Sequence, residues 1–148
     1  MSKPEKMDVK LDPSAWHGQG WEGLWVEHVA GDVYRVDNIP FYAYGMSSED
    51  EVVARRSEGH LIFEKVSRHR GHSTYRLIAK SKNGAKPNLA EIEAGIKSFG
   101  CSFEGMDGRL YAIDVPPGAD IHGLYRWLEG GVSRDDWDFE EGHYGTSP

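Results

Sequence analysis

A chain of 148 residues with 39% apolar and 28% charged side chains has the composition of an ordinary globule, which excludes wholesale disorder. That length leaves room for one domain, or for two small units sharing a core. No apolar run approaches the roughly 20 residues needed to cross a bilayer, and the opening MSKPEKMDVK lacks the apolar stretch of a secretory leader. With Cys101 the single cysteine, no internal disulfide can form, and a reducing cytoplasm is the expected location, with no membrane association.

The net charge of −7 hides a segregation along the chain. Residues 1–51 carry four basic and ten acidic side chains, residues 52–88 nine basic and two acidic, and residues 89–148 four basic and twelve acidic. Two readings follow. Either the basic segment lies beside acidic neighbours and the field largely cancels, or the surface is bipolar and each pole can steer a partner.

Residues 1–22 are polar and punctuated by Pro4, Pro13 and Gly18, so they are expected to form a flexible arm with only Trp16 and Trp21 as anchors. Residues 23–70 read as an antiparallel β unit. LWVEHV and VYRVD flank the turn Ala30-Gly31-Asp32, a break follows at Asp37-Asn38 and Pro40, and Ser47-Ser48-Glu49-Asp50 turns the chain into a short strand over 51–56. Leu61 to Lys80 then reads as a long hairpin with a basic turn at Arg70-Gly71, and its second strand is expected to be shared by both halves of the fold. Five strands in so short a meander suggest a small antiparallel barrel or a strongly curved sheet.

After Lys80 the pattern changes. Asn88 with Glu91 resembles a capping box, and Leu89, Ile92, Ile96 and Phe99 recur at helical spacing before Gly100. CSFEG and RLYAIDV flank Asp107-Gly108, a strong hairpin dipeptide. Asp120 caps a second helix that Gly130-Gly131 is expected to stop, and RDDWDFEEG closes the pattern as a strand. Residues 71–143 thus follow the order β-α-β-β-α-β of a ferredoxin-like unit, with 144–148 as a tail. The expected fold class is α+β, a β-barrel-like unit followed by a ferredoxin-like one.

The segments VYRVDNIPFYAYGMSSEDEVVAR, GHSTYRL, GCSFEGMDGRLYAIDVPP and WDFEEGH resemble an uncharacterised bacterial group, the domain-of-unknown-function family numbered four-two-six-five. The resemblance runs from about Trp25 to His143. It implies a bacterial cytosolic origin and brings no activity, cofactor or site residue with it. The chain departs from the family pattern at Ser47-Ser48-Glu49-Asp50, where a Gly-Asp turn is expected of a member.

Candidate chemistry is sparse. His69 and His72 form H-x-x-H, but among Arg68, Arg70 and Arg76 they read as a solvated basic turn, or else as an anion-binding one made by Arg68, Arg70, His72 and Arg76. Glu140, Glu141 and His143 lie too close along one strand to converge on a metal, because neighbours alternate faces. No ligand set has workable spacing, so neither a metal nor a cofactor is expected. Cys101 follows a helix at a position expected to be buried, and Ser73 beside His72 points away from it. Neither phosphate-loop nor dinucleotide glycine motifs occur, and no catalytic residue is assigned. Phe41, Tyr42 and Tyr44 could stack bases, yet overall acidity disfavours nucleic acid.

The acidic run Asp135, Asp136, Asp138, Glu140 and Glu141, interleaved with Trp137 and Phe139, remains the best candidate surface. Such a strand is either a charged sheet edge guarded against aggregation or a face that enters the basic groove of a partner. The function expected from the sequence is therefore binding rather than catalysis, most concretely as a toxin-neutralising (immunity-type) protein that engages a basic toxin domain. The alternative is an enzyme or an anion- or nucleic-acid-binding factor built on the basic turn.

Overall fold

The computed structural model describes residues 3–145 and is α+β, with nine strands and two helices among those residues. Five strands, β1 (Glu5–Lys10), β2 (Trp21–Ala30), β3 (Val33–Val36), β4 (Glu51–Ser57) and β5 (His60–Arg68), pair in sequence order. These pairs are antiparallel, and a parallel β1–β5 contact at Met7↔Leu61 and Asp8↔Ile62 closes them into a barrel. The strands alternate as a half-buried strand must. Met7 and Val9 of β1, Leu24 and Val26 of β2, Tyr34 and Val36 of β3, and Val52 and Ala54 of β4 fill the interior, while Trp21 and Trp25 face out.

The arm expected over residues 1–22 is thus a barrel strand for Glu5–Lys10; Met1 and Ser2 lie outside the described residues. The strand is anchored by Met7 and Val9; Trp21 is exposed, and Trp16, half-exposed, is held through its indole N–H to Tyr44 and Glu140. A six-residue strand carrying two inward apolar side chains is short enough to read as polar.

The remaining strands, β6 (Ser73–Ala79), β7 (Ser102–Met106), β8 (Leu110–Val115) and β9 (Trp137–His143), form a second, antiparallel sheet in the order β7-β8-β6-β9. Here the expected hairpin over 61–80 is corrected. Strands β5 and β6 follow each other in sequence but belong to different sheets, and β6 is not shared. Both edges of β6 are taken by β8 and β9, and the free edge of β5 by β1, so no pairing between β5 and β6 is possible.

Helices α1 (Leu89–Ser98) and α2 (Ile121–Ser133) cover one face of this sheet. Asn88 and Asp120 cap them as expected, accepting the N–H groups of Glu91 and Gly123. Ile92, Ile96, Leu124 and Leu128 meet Tyr75, Leu77 and Ala79 of β6 and Ile113 of β8. Helix α2 does not stop at Gly130-Gly131 but continues to Ser133. Gly131 is there for close approach: a Cβ on it would overlap the Trp137 ring, so the glycine lets β9 pack against the helix. Residues 144 and 145 follow β9 without regular structure, and 146–148 of the expected tail lie outside the described residues.

Candidate functional site

The loop between β3 and β4 crosses from the barrel to the open face of the second sheet, and it is pinned at both ends by carboxylates. Glu22, buried at the barrel end, accepts backbone N–H groups from Phe41, Tyr42 and Ala43 at 2.7–3.1 Å. Asp50, with no exposed surface, accepts from the N–H groups of Ser47 and Arg70, each at 2.9 Å, and meets His69 Nδ1 at 2.9 Å. Three hydrogen bonds to one carboxylate compensate its removal from water.

The loop so held meets β6 and β9 through two polar clusters. In the first, Arg76, only 1% exposed, donates Nε to Glu140 at 3.0 Å and its two Nη groups to the carbonyls of Ala43 and Tyr42. Tyr44 lies against the guanidinium and donates its hydroxyl to Glu140, to which the indole N–H of Trp16 also donates at 2.9 Å. In the second, Ser47 Oγ stands 2.6 Å from Thr74 Oγ1 and 2.8 Å from His143 Nδ1. The His143 ring stacks on His69 with centroids 4.4 Å apart and planes 20° from parallel. Burial, followed by the neighbouring His69, holds the His143 imidazole below its ordinary pKa. Close by, His72 Nδ1 sits 2.9 Å from Asp114, whose carboxyl burial pushes up against the opposing pull of His72.

His69 and His72 are therefore not side chains of a merely solvated turn, since each ring faces a carboxylate. The fold also brings Asp50, His69 and His143 together from three segments, and one ligand atom of each lies within 4.8 Å of the others. Spacing along the chain gives no sign of that set. Glu140 and Glu141 stay apart from it: Glu140 is held by Arg76, and Glu141 accepts the Tyr75 hydroxyl at 2.8 Å.

The anion-binding set expected from the sequence is divided. Arg76 and His72 are committed to internal carboxylates, while Arg68 and Arg70 remain at the surface, Arg70 near Glu51 at 3.3 Å. The acidic run is partly compensated. Asp136 bridges Lys82 and Arg134, whereas Asp135 and Asp138 both turn to Lys80. Asp135 and Asp138 nonetheless keep 74% and 64% of their side-chain surface exposed.

Direct pairing across the sheet sets out the face away from the helices. Ile78, Leu110 and Met106 form a half-buried row that leads to Asp138 on the edge strand β9. Beside it Trp16, Phe139, Asp138 and Glu140, with Ile78 and Arg76, bound a hollow of about 250 Å³. Sequence reasoning missed Glu22, Ser47, Asp50, Thr74, Asp114 and Trp16 as members of these clusters. Only the turn-forming run at 47–50 gave any local signal.

Ser47 and Ser73 are buried, and burial raises the equally buried Cys101 thiol to about 11.

The Domain of unknown function (DUF4265) family matches residues 22–139. The chain belongs to this family. The DUF4265 match spans most of the barrel, both helices and the sheet as far as Phe139. A solved structure described as a novel crystal structure of a hypothetical protein from Neisseria gonorrhoeae superposes with a TM-score of 0.83 over 99% of each chain at 17% identity. At that identity the likeness shows a common fold and nothing about activity. No curated protein matches the chain, and no helix among the described residues is long and apolar enough to cross a membrane.

Proposed function

We propose that this DUF4265 protein works by binding a basic protein partner and not by catalysis, with the open sheet face and its acidic edge as the contact surface. The observation that carries this reading is the hollow flanked by the half-exposed Trp16 ring and edged by Asp138 and Glu140. Arg76 already neutralises Glu140, which leaves Asp138 as the carboxylate available to an incoming cation. A lysine or arginine of the partner, seated there, would gain an ion pair and an aromatic face together. The Lys80 pairs that compete for Asp135 and Asp138 are surface pairs worth about 0–1 kcal/mol, so a partner can displace them.

Toxin neutralisation (an immunity-type role) is the most concrete form of this proposal, because such proteins present acidic surfaces to the basic clefts of nucleases. A cytoplasmic location accompanies it. The β7-β8-β6-β9 order with both helices on one face supports a ferredoxin-like unit beside the barrel.

Comparative capture from a lysate of the source organism tests the proposal. Wild type and R68A/R70A should retain the same basic protein, and D135K/D138K should lose it. Asp136 is left alone because its two ion pairs hold β9 against neighbouring segments. If the arginine variant loses the partner and the aspartate variant keeps it, the contact surface is the basic turn, and an anionic ligand takes the place of a basic protein.

A further inference from the structure

We propose that Asp50, His69 and His143 form a binding site for a divalent transition-metal ion that ties the barrel to the second sheet. This inference is independent of the partner surface, with which it shares no ligand. Two imidazoles and one carboxylate suit a borderline ion such as Zn²⁺, which takes nitrogen and oxygen ligands at about 2.0–2.2 Å and leaves a fourth position for water.

The ligand atoms lie within 4.8 Å of one another. A tetrahedral site with bonds near 2.1 Å needs them about 3.4 Å apart. Closing that gap takes a side-chain adjustment and no refolding. Asp50 is the fixed member, since two backbone N–H groups hold it at full burial. His69 Nδ1 already stands 2.9 Å from Asp50 Oδ2, so a metal would take the place of a proton between them. His69 is the adjustable member, with 46% of its side chain exposed, and through it the ion and its water would enter.

The surroundings resemble the outer shell of a metal site. Ser47 contributes its N–H to Asp50 and its Oγ to His143, and Thr74 hydrogen-bonds Ser47 in turn, so both inner ligands are oriented by one loop residue. The exposed His69 ring stacks on the partly buried His143 ring, so the two imidazoles are already neighbours and His69 would turn out of the stack to aim its nitrogen at the ion. The ligands come from the β3–β4 loop, the segment linking β5 to β6, and the end of β9, so the ion would join both sheets.

Zinc titration of the full, tag-free chain by calorimetry, with chelator-stripped protein and Zn²⁺ alone as the ligand, tests the site. One ion per chain is expected, with binding weakened at least about 100-fold in H69A and in H143A, since loss of even an outer-shell partner costs 10–100-fold. H72A should retain the ion, because His72 faces Asp114 outside the set. Asp50→Asn is the riskier variant for folding, so H69A, at a half-exposed position, is the decisive one. The proposal is overturned if no stoichiometric binding occurs in wild type, or if H69A and H143A bind as wild type does. It is equally overturned if H72A removes the site while H69A keeps it.

Discussion

Replacing Arg76 with methionine should lower the unfolding free energy by about 3–5 kcal/mol, as breaking a buried, hydrogen-bonded ion pair from one side does. The guanidinium serves three acceptors at once, the Glu140 carboxylate and the carbonyls of Ala43 and Tyr42. Glu140 keeps Trp16 and Tyr44 as donors and some access to water, so its loss is softened. The two carbonyls receive no substitute from a methionine, and each unmade bond in such a place costs about 1–3 kcal/mol. Arg76→Lys should fall between, since one ammonium cannot hold the planar three-way geometry. Urea unfolding of the three proteins checks this. A loss below about 1 kcal/mol in R76M would mean that the loop over the sheet is held by other contacts.

Ile96→Ala should cost about 2–5 kcal/mol, the range for truncating a fully buried isoleucine. Ile96 has no exposed surface and sits in the core where α1 meets the sheet. The residues around it belong to two helices and a sheet whose backbones are fixed by their own hydrogen bonds, so the cavity has little scope to collapse. The same denaturant experiment reads it, and a change below about half a kcal/mol would place the α1 face outside the core.

The difference between what the sequence discloses and what it hides lies in the range of the interactions. Caps at Asn88 and Asp120 and the turn at Asp107-Gly108 are decided within four residues, and all were legible. Pairing between strands is decided across the chain. Alternation in β5 and β6 tells which side chains share a face, but not which strand lies alongside, so a break between two sheets reads as a hairpin. The parallel β1–β5 contact joins residues more than fifty positions apart and leaves no local trace. Gly131 reads as a stop because glycine at a helix end and glycine under a tryptophan look alike in sequence.

The candidate sites follow the same rule. H-x-x-H at 69–72 was visible, yet its meaning depends on Asp50, Asp114 and His143, which the fold supplies from three other segments. By sequence Arg76 groups with Arg68 and Arg70 as a surface cation, although a strand in the middle of a sheet buries it. Of the acidic run, Asp138, Glu140 and Glu141 lie along β9, which is a sheet edge, whereas Asp135 and Asp136 sit in the turn before it.

The most direct test of the binding account is the association rate of the captured partner, measured by stopped flow across a salt series with wild type and D135K/D138K. The Debye length shrinks from about 10 Å at 0.1 M to about 3 Å at 1 M, so an encounter steered by Asp135 and Asp138 must slow as salt rises. The account predicts at least a roughly tenfold fall for wild type over that range, with the charge-reversed variant already slow at low salt and nearly flat. A wild-type rate indifferent to salt, or equal to that of D135K/D138K at low salt, would contradict it.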